Sequence, residues 1–258
     1  MTDAFGPTLQ RSDPPLDSGA WLLRVEAADA LDDAGLKAIV AVVDLLVTAG
    51  ARGAFAVPGV APALSTLRVE RARVEAPNVL SFELLAQACD ARAFQLLRHM
   101  CRRLRRHKLN VRAVTLTAPA TAGQMRFVPE IGDDTEFDAY PARSTHLRFR
   151  TGREPVDGRR LRRAVVDLHT RVTQAHVTRL NEWLAPWFGL LEAGAYAAPL
   201  GPADEVDCVA GVVTLYDEQA VELCVNRFQA SECAWHALLN MLDACWPDER
   251  LIASVEID

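Results

Sequence analysis

Gly53-Ala54-Phe55-Ala56-Val57-Pro58-Gly59 recurs in this chain of 258 residues as Gly194-Ala195-Tyr196-Ala197-Ala198-Pro199-Leu200-Gly201. The two stretches are 141 positions apart (194 minus 53), and the match fails only at the last glycine. A self-similarity at a fixed offset is the mark of repeated architecture. Because so short a match can arise by chance, the same offset has to hold elsewhere in the chain.

Two further segments repeat at this offset. One is an apolar set spaced i, i+3, i+4, i+7, i+8, i+11, which is the stripe of an amphipathic helix. It consists of Ala93, Leu96, Leu97, Met100, Cys101 and Leu104, which map onto Ala234, Ala237, Leu238, Met241, Leu242 and Cys245. The other is a strand pattern rich in β-branched residues, in which Val111, Val114 and Leu116 map onto Ile252, Val255 and Ile257.

A β-hairpin is predicted between these segments in each half. In the first half, 67–74 and 79–85 flank the turn-like Ala76-Pro77-Asn78. In the second half, 206–216 and 220–228 flank Asp217-Glu218-Gln219. Both pairs are therefore expected to fold back on themselves through a short loop.

A strand and a helix are expected to open each half. Residues 21–27 predict the first strand, and the helix after Asp32 runs to Gly50. In the second half, Leu147-Arg148-Phe149 matches Leu23-Arg24-Val25 at a shift of only 124. This match predicts a strand at 145–150 and a long helix from Gly158, with about seventeen extra residues. Pro186 is expected to end or kink that helix after Leu184.

Each half thus reads β, α, Gly-Ala loop, β-hairpin, α, β. This order resembles the ferredoxin-like fold, in which two helices cover one face of a four-stranded antiparallel sheet. The predicted fold class is α+β, with two tandem ferredoxin-like βαββαβ units related by internal duplication and an extended first helix in the second unit. The predicted boundaries are an irregular lead-in at 1–17, a first unit at 18–118, a linker at 119–142 and a second unit at 143–258. An extra strand is predicted within the linker, near 124–128.

Composition predicts a soluble cytosolic protein. The N-terminus lacks the basic-then-apolar order of a signal peptide, and no stretch is expected to be long enough to cross a bilayer. The six cysteines include no C-x-x-C pair and are expected to be reduced core thiols. Neither a metal nor a cofactor is predicted, because the hydrolase, phosphate-loop, dinucleotide and metalloprotease signatures do not occur.

Charge is segregated along the chain. Residues 91–129 hold nine basic side chains and no acid, whereas residues 182–258 hold fourteen acids against Arg227 and Arg250. The formal net charge of −6 argues against a nucleic-acid binder, which needs a basic surface. The acidic second half favours a basic protein partner instead.

Two sets of candidate residues follow. If the halves pack about a pseudo-twofold axis, Phe55 and Tyr196 are expected to line a shared cleft, and His169 and His176 are further ligand-cleft candidates. The alternative for both aromatic residues is packing in the core. The alternative for both histidines is a partly exposed position at the edge of the core. The histidines are seven residues, or about 10 Å, apart along the predicted helix, too far to share one zinc ion. The partner-surface candidates are Trp183, Trp187, Asp204, Glu205, Asp207, Asp217 and Glu218, and core packing is the alternative for both tryptophans.

The leading hypothesis is a non-catalytic protein-binding or regulatory module, such as a bacterial immunity or inhibitor protein, because charge complementarity serves that role without a catalytic motif. The alternative is a small-ligand binder or an enzyme that uses the cleft between the units. A third hypothesis is a homodimer formed through an exposed sheet or through the segment 183–188.

Overall fold

The computed structural model describes residues 19–117, 124–127, 144–153, 161–196, 211–226, 230 and 233–258. Within these ranges the chain is α+β, with four α-helices and two mostly antiparallel five-stranded sheets. The predicted fold class is confirmed at this level. One continuous hydrophobic core runs through both halves.

The first sheet is built from residues 19–127 in the strand order β2-β3-β1-β4-β5, with every neighbouring pair antiparallel. Its strands alternate buried and exposed side chains, as expected of a sheet with one covered face. The elements are β1 (Gly19–Ala27), α1 (Asp33–Ala51), β2 (Thr66–Ala76), β3 (Val79–Gln87), α2 (Gln95–Arg103), β4 (Val111–Thr117) and β5 (Gln124–Phe127).

The second sheet has the order β6-β10-β7-β9-β8. Strand β6 is parallel to β10, and the other neighbouring pairs are antiparallel. The elements are β6 (Arg150–Arg153), β7 (Leu161–Leu168), α3 (Gln174–Glu192), β8 (Gly211–Leu215), β9 (Ala220–Asn226), α4 (Cys233–Cys245) and β10 (Ile252–Ile257).

The central strands of the two sheets have matching registers. In the first sheet Leu23 lies opposite Phe82 and Leu116. In the second sheet Ala164 lies opposite Leu223 and Ile257, and each of these three numbers is larger by 141. Helices α1 and α3 are also offset by 141 at both ends (174 minus 33, 192 minus 51).

The strand predicted at 145–150 is wrong, and so is the extended helix from Gly158. The first strand of the second unit is β7, in which Ala164, Val166 and Leu168 point inward with a period of two. The sequence pattern was misread because Leu161, Val165 and Leu168 also fit a helical spacing. Helices α1 and α3 both contain 19 residues, so the second unit carries no insertion there.

Helix α3 does not end after Leu184 but continues through Pro186 to Glu192. A proline in a helix leaves the carbonyl four residues earlier without its N–H donor, and here that carbonyl belongs to Glu182. Arg52, at the end of α1, supplies the missing donor: its Nη1 donates to the Glu182 carbonyl and, at 2.7 Å, to the Trp183 carbonyl. A side chain from the first unit thus completes a helix of the second.

The helices of the two units pack on one another, α1 against α3 and α4 against the 3-10 turn at Pro62–Leu64. Small residues permit the close approach. A Cβ added to Gly189 would lie 2.6 Å from the Leu45 Cδ2 atom, and one added to Gly53 would lie 2.9 Å from the Ala244 Cβ atom. The junction is therefore tightly packed along α1 and α3.

Helix α1 is the one helix, among the described residues, that is long and apolar enough to span a membrane, with a mean hydropathy of 1.8. The expectation that no stretch has this length and composition is wrong. Core helices pass the same test, and the buried residues of α1, including Ile39, Val43 and Leu46, pack in the shared core. The composition of α1 therefore reflects burial from both units.

A double-mutant cycle tests the Arg52–Pro186 pairing. Arg52→Met keeps the aliphatic stem but leaves the Glu182 carbonyl unpaired, so we expect a loss of about 1–2 kcal/mol of unfolding free energy. In a Pro186→Ala background residue 186 regains its N–H, and the same Arg52 change is expected to cost less. Urea denaturation measures both, with Arg68→Met on an exposed strand as the control. Equal costs in the two backgrounds would contradict the pairing.

Glycines at the helix ends provide a second test. Gly53 and Gly194 close α1 and α3 with φ values of +84° and +73°, a region costly for residues with a Cβ atom. Gly53→Ala and Gly194→Ala are each expected to lower the stability by about 1 kcal/mol or more. The loss is expected to be larger for Gly53→Ala, because its Cβ would lie 2.7 Å from the Pro62 backbone carbonyl oxygen, whereas the Cβ at Gly194 would meet the end of the Arg103 side chain, which can move. Gly59→Ala, with no atom within 4 Å, is the neutral control in thermal melts.

Candidate functional site

An open groove of about 640 Å³ lies at one end of the second sheet, where β7 ends, β10 begins and β8 turns into β9. Its lining is mostly polar and charged. The lining residues are Arg150, Asp167, Leu168, His169, Asp217, Glu218, Gln219, Ala253 and Ser254.

Backbone hydrogen bonds hold the groove together. The N–H groups of Leu168 and Val172 donate to the carbonyls of Gln219 and Glu218, each at 2.8 Å. The Asp217 Oδ1 atom accepts from the Gln219 N–H at 2.7 Å, which closes the β8–β9 turn. The two loops that carry the charged side chains are therefore tied to each other.

The groove is acidic. It contains three carboxylates against the single guanidinium of Arg150, which gives a formal charge of −2 with histidine neutral. The Ser254 Oγ atom donates to Asp167 Oδ2 at 2.6 Å, and the Arg171 guanidinium lies 3.8 Å from Glu218. Both partners of this ion pair are largely exposed, so the pair adds little stability, but with Arg171 counted the formal charge around the groove is −1.

The chemistry available in this groove is cation recognition. Fixed carboxylates attract ammonium and guanidinium groups, and Gln219 and Ser254 add hydrogen-bonding atoms. Within the described ranges, no group of three His, Cys, Asp or Glu side chains is arranged to hold a metal ion. The hydroxyl of Ser254 is bonded to a carboxylate rather than to a histidine.

Phe55 and Tyr196 do not line a cleft. Both rings are 0% exposed, so neither borders a space that admits water. Ala54, which precedes Phe55, does lie at the junction: the buried Asn240 amide donates to the Ala54 carbonyl at 3.2 Å and accepts from the Ser144 N–H at 2.8 Å. The core-packing alternative therefore describes both aromatics.

The two histidines lie apart and not on one helix. His169 follows β7, is exposed and lines the groove. His176 lies in the first turn of α3, where its side chain and Thr173 form a reciprocal N-terminal cap, and its ring meets the edge of Trp246. Only His169 belongs to the candidate site, and His176 has a structural role.

The partner-surface candidates divide in the same way. Trp187 is fully buried, with its Nε1 atom donating to the Ala234 carbonyl at 2.8 Å, so its assignment to a surface is wrong. Trp183 is half-buried beneath the Arg52 guanidinium. Asp217 and Glu218 are exposed in the groove. The remaining candidates, Asp204, Glu205 and Asp207, lie outside the described residues.

Four polar groove residues are not among the candidates from the sequence analysis: Arg150, Asp167, Gln219 and Ser254. Asp167 was assigned to a helix, so its place at the end of a strand was not seen. The signal that identifies it is the offset of 141, which maps 161–168 onto the last eight residues of β1. Period-two burial along β7 follows from that alignment.

His99 occupies in α2 the position that Asn240 occupies in α4 (240 minus 99 is 141). It is buried, and burial lowers the pKa of its imidazole to about 3. Three positive charges on the same helix act in the same direction, namely those of Arg98, Arg102 and Arg103. The folded protein therefore holds this histidine neutral.

The described cysteines are free thiols, and four of the five are buried. Burial raises the pKa of Cys101 to about 12 and that of Cys245 to about 11. Such thiols remain protonated and behave as small apolar side chains.

Comparison of the chain with family models, with curated proteins and with solved structures gives no match in any of the three.

The neutral His99 makes stability depend on pH. Its pKa is about 6.5 in the unfolded chain and about 3 when folded, so the unfolded state binds more protons between these values. We expect stability to fall as the pH drops below 6.5, by up to about 1.4 kcal/mol per pH unit from this group. Urea unfolding at pH 7.5, 6.0 and 5.0 measures the slope. His99→Asn is expected to flatten it, whereas His169→Asn, an exposed control, is not.

Proposed function

We propose that this protein is a non-catalytic binding module whose second unit recognises a basic segment of a partner protein, as an immunity or inhibitor protein does. The observation that carries the proposal is the acidic groove, where Asp167, Asp217 and Glu218 line about 640 Å³ of accessible space. Its loops are held by backbone hydrogen bonds, so little ordering accompanies binding.

Long-range charge supports the same partner. Residues 182–258 carry fourteen acids and two arginines, a formal balance of −12. Such a field accelerates the encounter with a basic protein, and the acceleration weakens as salt is added. Reduced thiols at the described cysteines fit a cytosolic setting for this encounter.

We further infer that the two units are divergent copies of one ferredoxin-like βαββαβ unit. The matching strand orders β4-β1-β3-β2 and β10-β7-β9-β8 support this, together with the registers offset by 141. The helix caps agree as well: Asp32 and Thr173 cap the first turns, and Gly53 and Gly194 follow the last.

Two of the three carboxylates of the groove are then specific to the second copy, whereas Asp167 corresponds to Glu26 of β1. The positions 141 before His169, Asp217 and Glu218 are Ala28, Ala76 and Pro77. Charged and titratable side chains occupy one copy where small or rigid apolar residues occupy the other. Because the shared core does not require this difference, it supports a binding role for the groove.

Fluorescence anisotropy with a labelled hexalysine peptide tests the proposal. We expect binding that weakens with added salt and that falls at least about tenfold in the Asp217→Asn/Glu218→Gln double variant, because two carboxylates of the groove are lost. The Asp29→Asn/Asp33→Asn variant makes the same change of charge on exposed residues of the first unit. Equal losses in the two double variants, or binding to neither protein nor variant, would contradict a groove-specific role.

A further inference from the structure

Apolar side chains are uncovered along β8, the terminal strand of the second sheet among the described strands. Val212 is 48% exposed, Leu215 is 61% exposed, and Tyr216, just after the strand, is 51% exposed. The chain then passes directly into Asp217 and Glu218 of the groove. An exposed apolar cluster with a polar rim is typical of a protein-binding surface.

The corresponding strand of the first unit, β2, carries charges instead. The positions 141 before Val212, Thr214 and Tyr216 are Arg71, Arg73 and Glu75. Two of them are paired within the surface. Glu75 accepts from Arg24 at 2.7 Å and from Arg73 at 3.2 Å. The first unit therefore presents a solvated surface where the second presents apolar groups.

Val212 and Tyr216 share a face with the acidic residues, whereas Leu215 points to the other side of the sheet. Tyr216 is bonded to Ala220 of β9, Ala220 lies opposite Asp167 of β7, and Asp167 lies opposite Ser254 of β10. Residues that lie opposite one another in a sheet point to the same side. Since neighbouring strands are about 4.8 Å apart, Tyr216 lies about 10 Å from Asp167 on this face.

Addition of a further strand to this edge is disfavoured. The Asn181 side chain of α3 donates to the Val213 carbonyl at 3.2 Å and accepts from the Val213 N–H at 3.3 Å. The N–H and carbonyl groups of Val213, at the middle of this edge, are thus already bonded and do not pair with another strand. What the edge offers to a partner is its side chains.

We propose that Val212 and Tyr216 form the apolar centre of a docking surface whose acidic rim is the groove, and that its occupant is a partner protein with an apolar patch flanked by lysine or arginine. This inference rests on the proposed function and adds to it a second source of affinity. Charge complementarity selects the occupant, because the carboxylates of Asp167, Asp217 and Glu218 border the apolar centre. Tyrosine suits the central place, since it buries a large area at the cost of two rotatable bonds.

Two labelled peptides separate the apolar contribution from the charge. One is Lys-Lys-Leu-Trp-Leu-Lys-Lys and the other is Lys-Lys-Gly-Ser-Gly-Lys-Lys, which have equal charge. We expect the full chain to bind the first about tenfold more tightly in anisotropy titrations. Tyr216→Ser is expected to remove this gain without changing the affinity for the second peptide. Val74→Ser, at a 55% exposed position of β2, is the matched control and should leave both affinities unchanged.

The outcomes are distinguishable. If the Gly-Ser-Gly peptide binds through Asp217 and Glu218 but the apolar peptide gains nothing, the docking surface is overturned while the proposed function stands. An equal loss in Tyr216→Ser and Val74→Ser also overturns it. If neither peptide binds, both proposals fail. A second copy of the chain is the other possible occupant, and analytical ultracentrifugation tests it. A dimer that dissociates in Tyr216→Ser would assign this surface to a second copy and overturn the assignment to a basic partner.

Discussion

The burial of α1 and α3 against each other is the constraint on which the rest of the molecule depends. Each helix covers its own sheet with one side and contacts the other helix with another, so each needs apolar residues around much of its circumference. Either unit alone would expose that second side to water. Helix α3 also depends on the first unit for a hydrogen bond. Pro186 has no N–H to donate to the Glu182 carbonyl, and the Arg52 guanidinium donates to that carbonyl and to the Trp183 carbonyl instead.

Much of this arrangement is readable in the sequence, and the failures have physical causes. The offset of 141 predicts both hairpins, both second helices and both last strands, since their patterns have clear periods. The prediction fails at β7, although the offset of 141 holds there, because the strand's two arginines, Arg162 and Arg163, interrupt its apolar alternation and because Leu161, Val165 and Leu168 mimic a helical stripe. The offset of 141 holds in three segments, whereas the offset of 124 rests on the single tripeptide match of Leu147-Arg148-Phe149 with Leu23-Arg24-Val25.

The candidate site was predicted in fragments. His169, Asp217 and Glu218 were proposed for separate reasons, and the fold brings them together in one groove. Asp167 and Ser254 were missed because their proximity depends on the pairing of β7 with β10, which lie far apart in sequence. Phe55 and Tyr196 are predicted to line a cleft because the Gly-Ala-aromatic motif that contains them occurs in both halves. Both rings are buried in the core, so the repetition of this motif reflects packing rather than a binding site.

The carboxamide of Asn181 has a consequence for how this protein behaves when crowded. An open sheet margin is a template on which other chains condense, and many proteins block it with lysine, proline or a bulge. Strand β8 has none of these between Gly211 and Leu215. Instead, the Asn181 carboxamide of α3 makes the two hydrogen bonds to Val213 that the backbone of a neighbouring strand would make. The exposed apolar residues of β8 thus lie beside one blocked backbone position, which hinders the stacking of a further chain there.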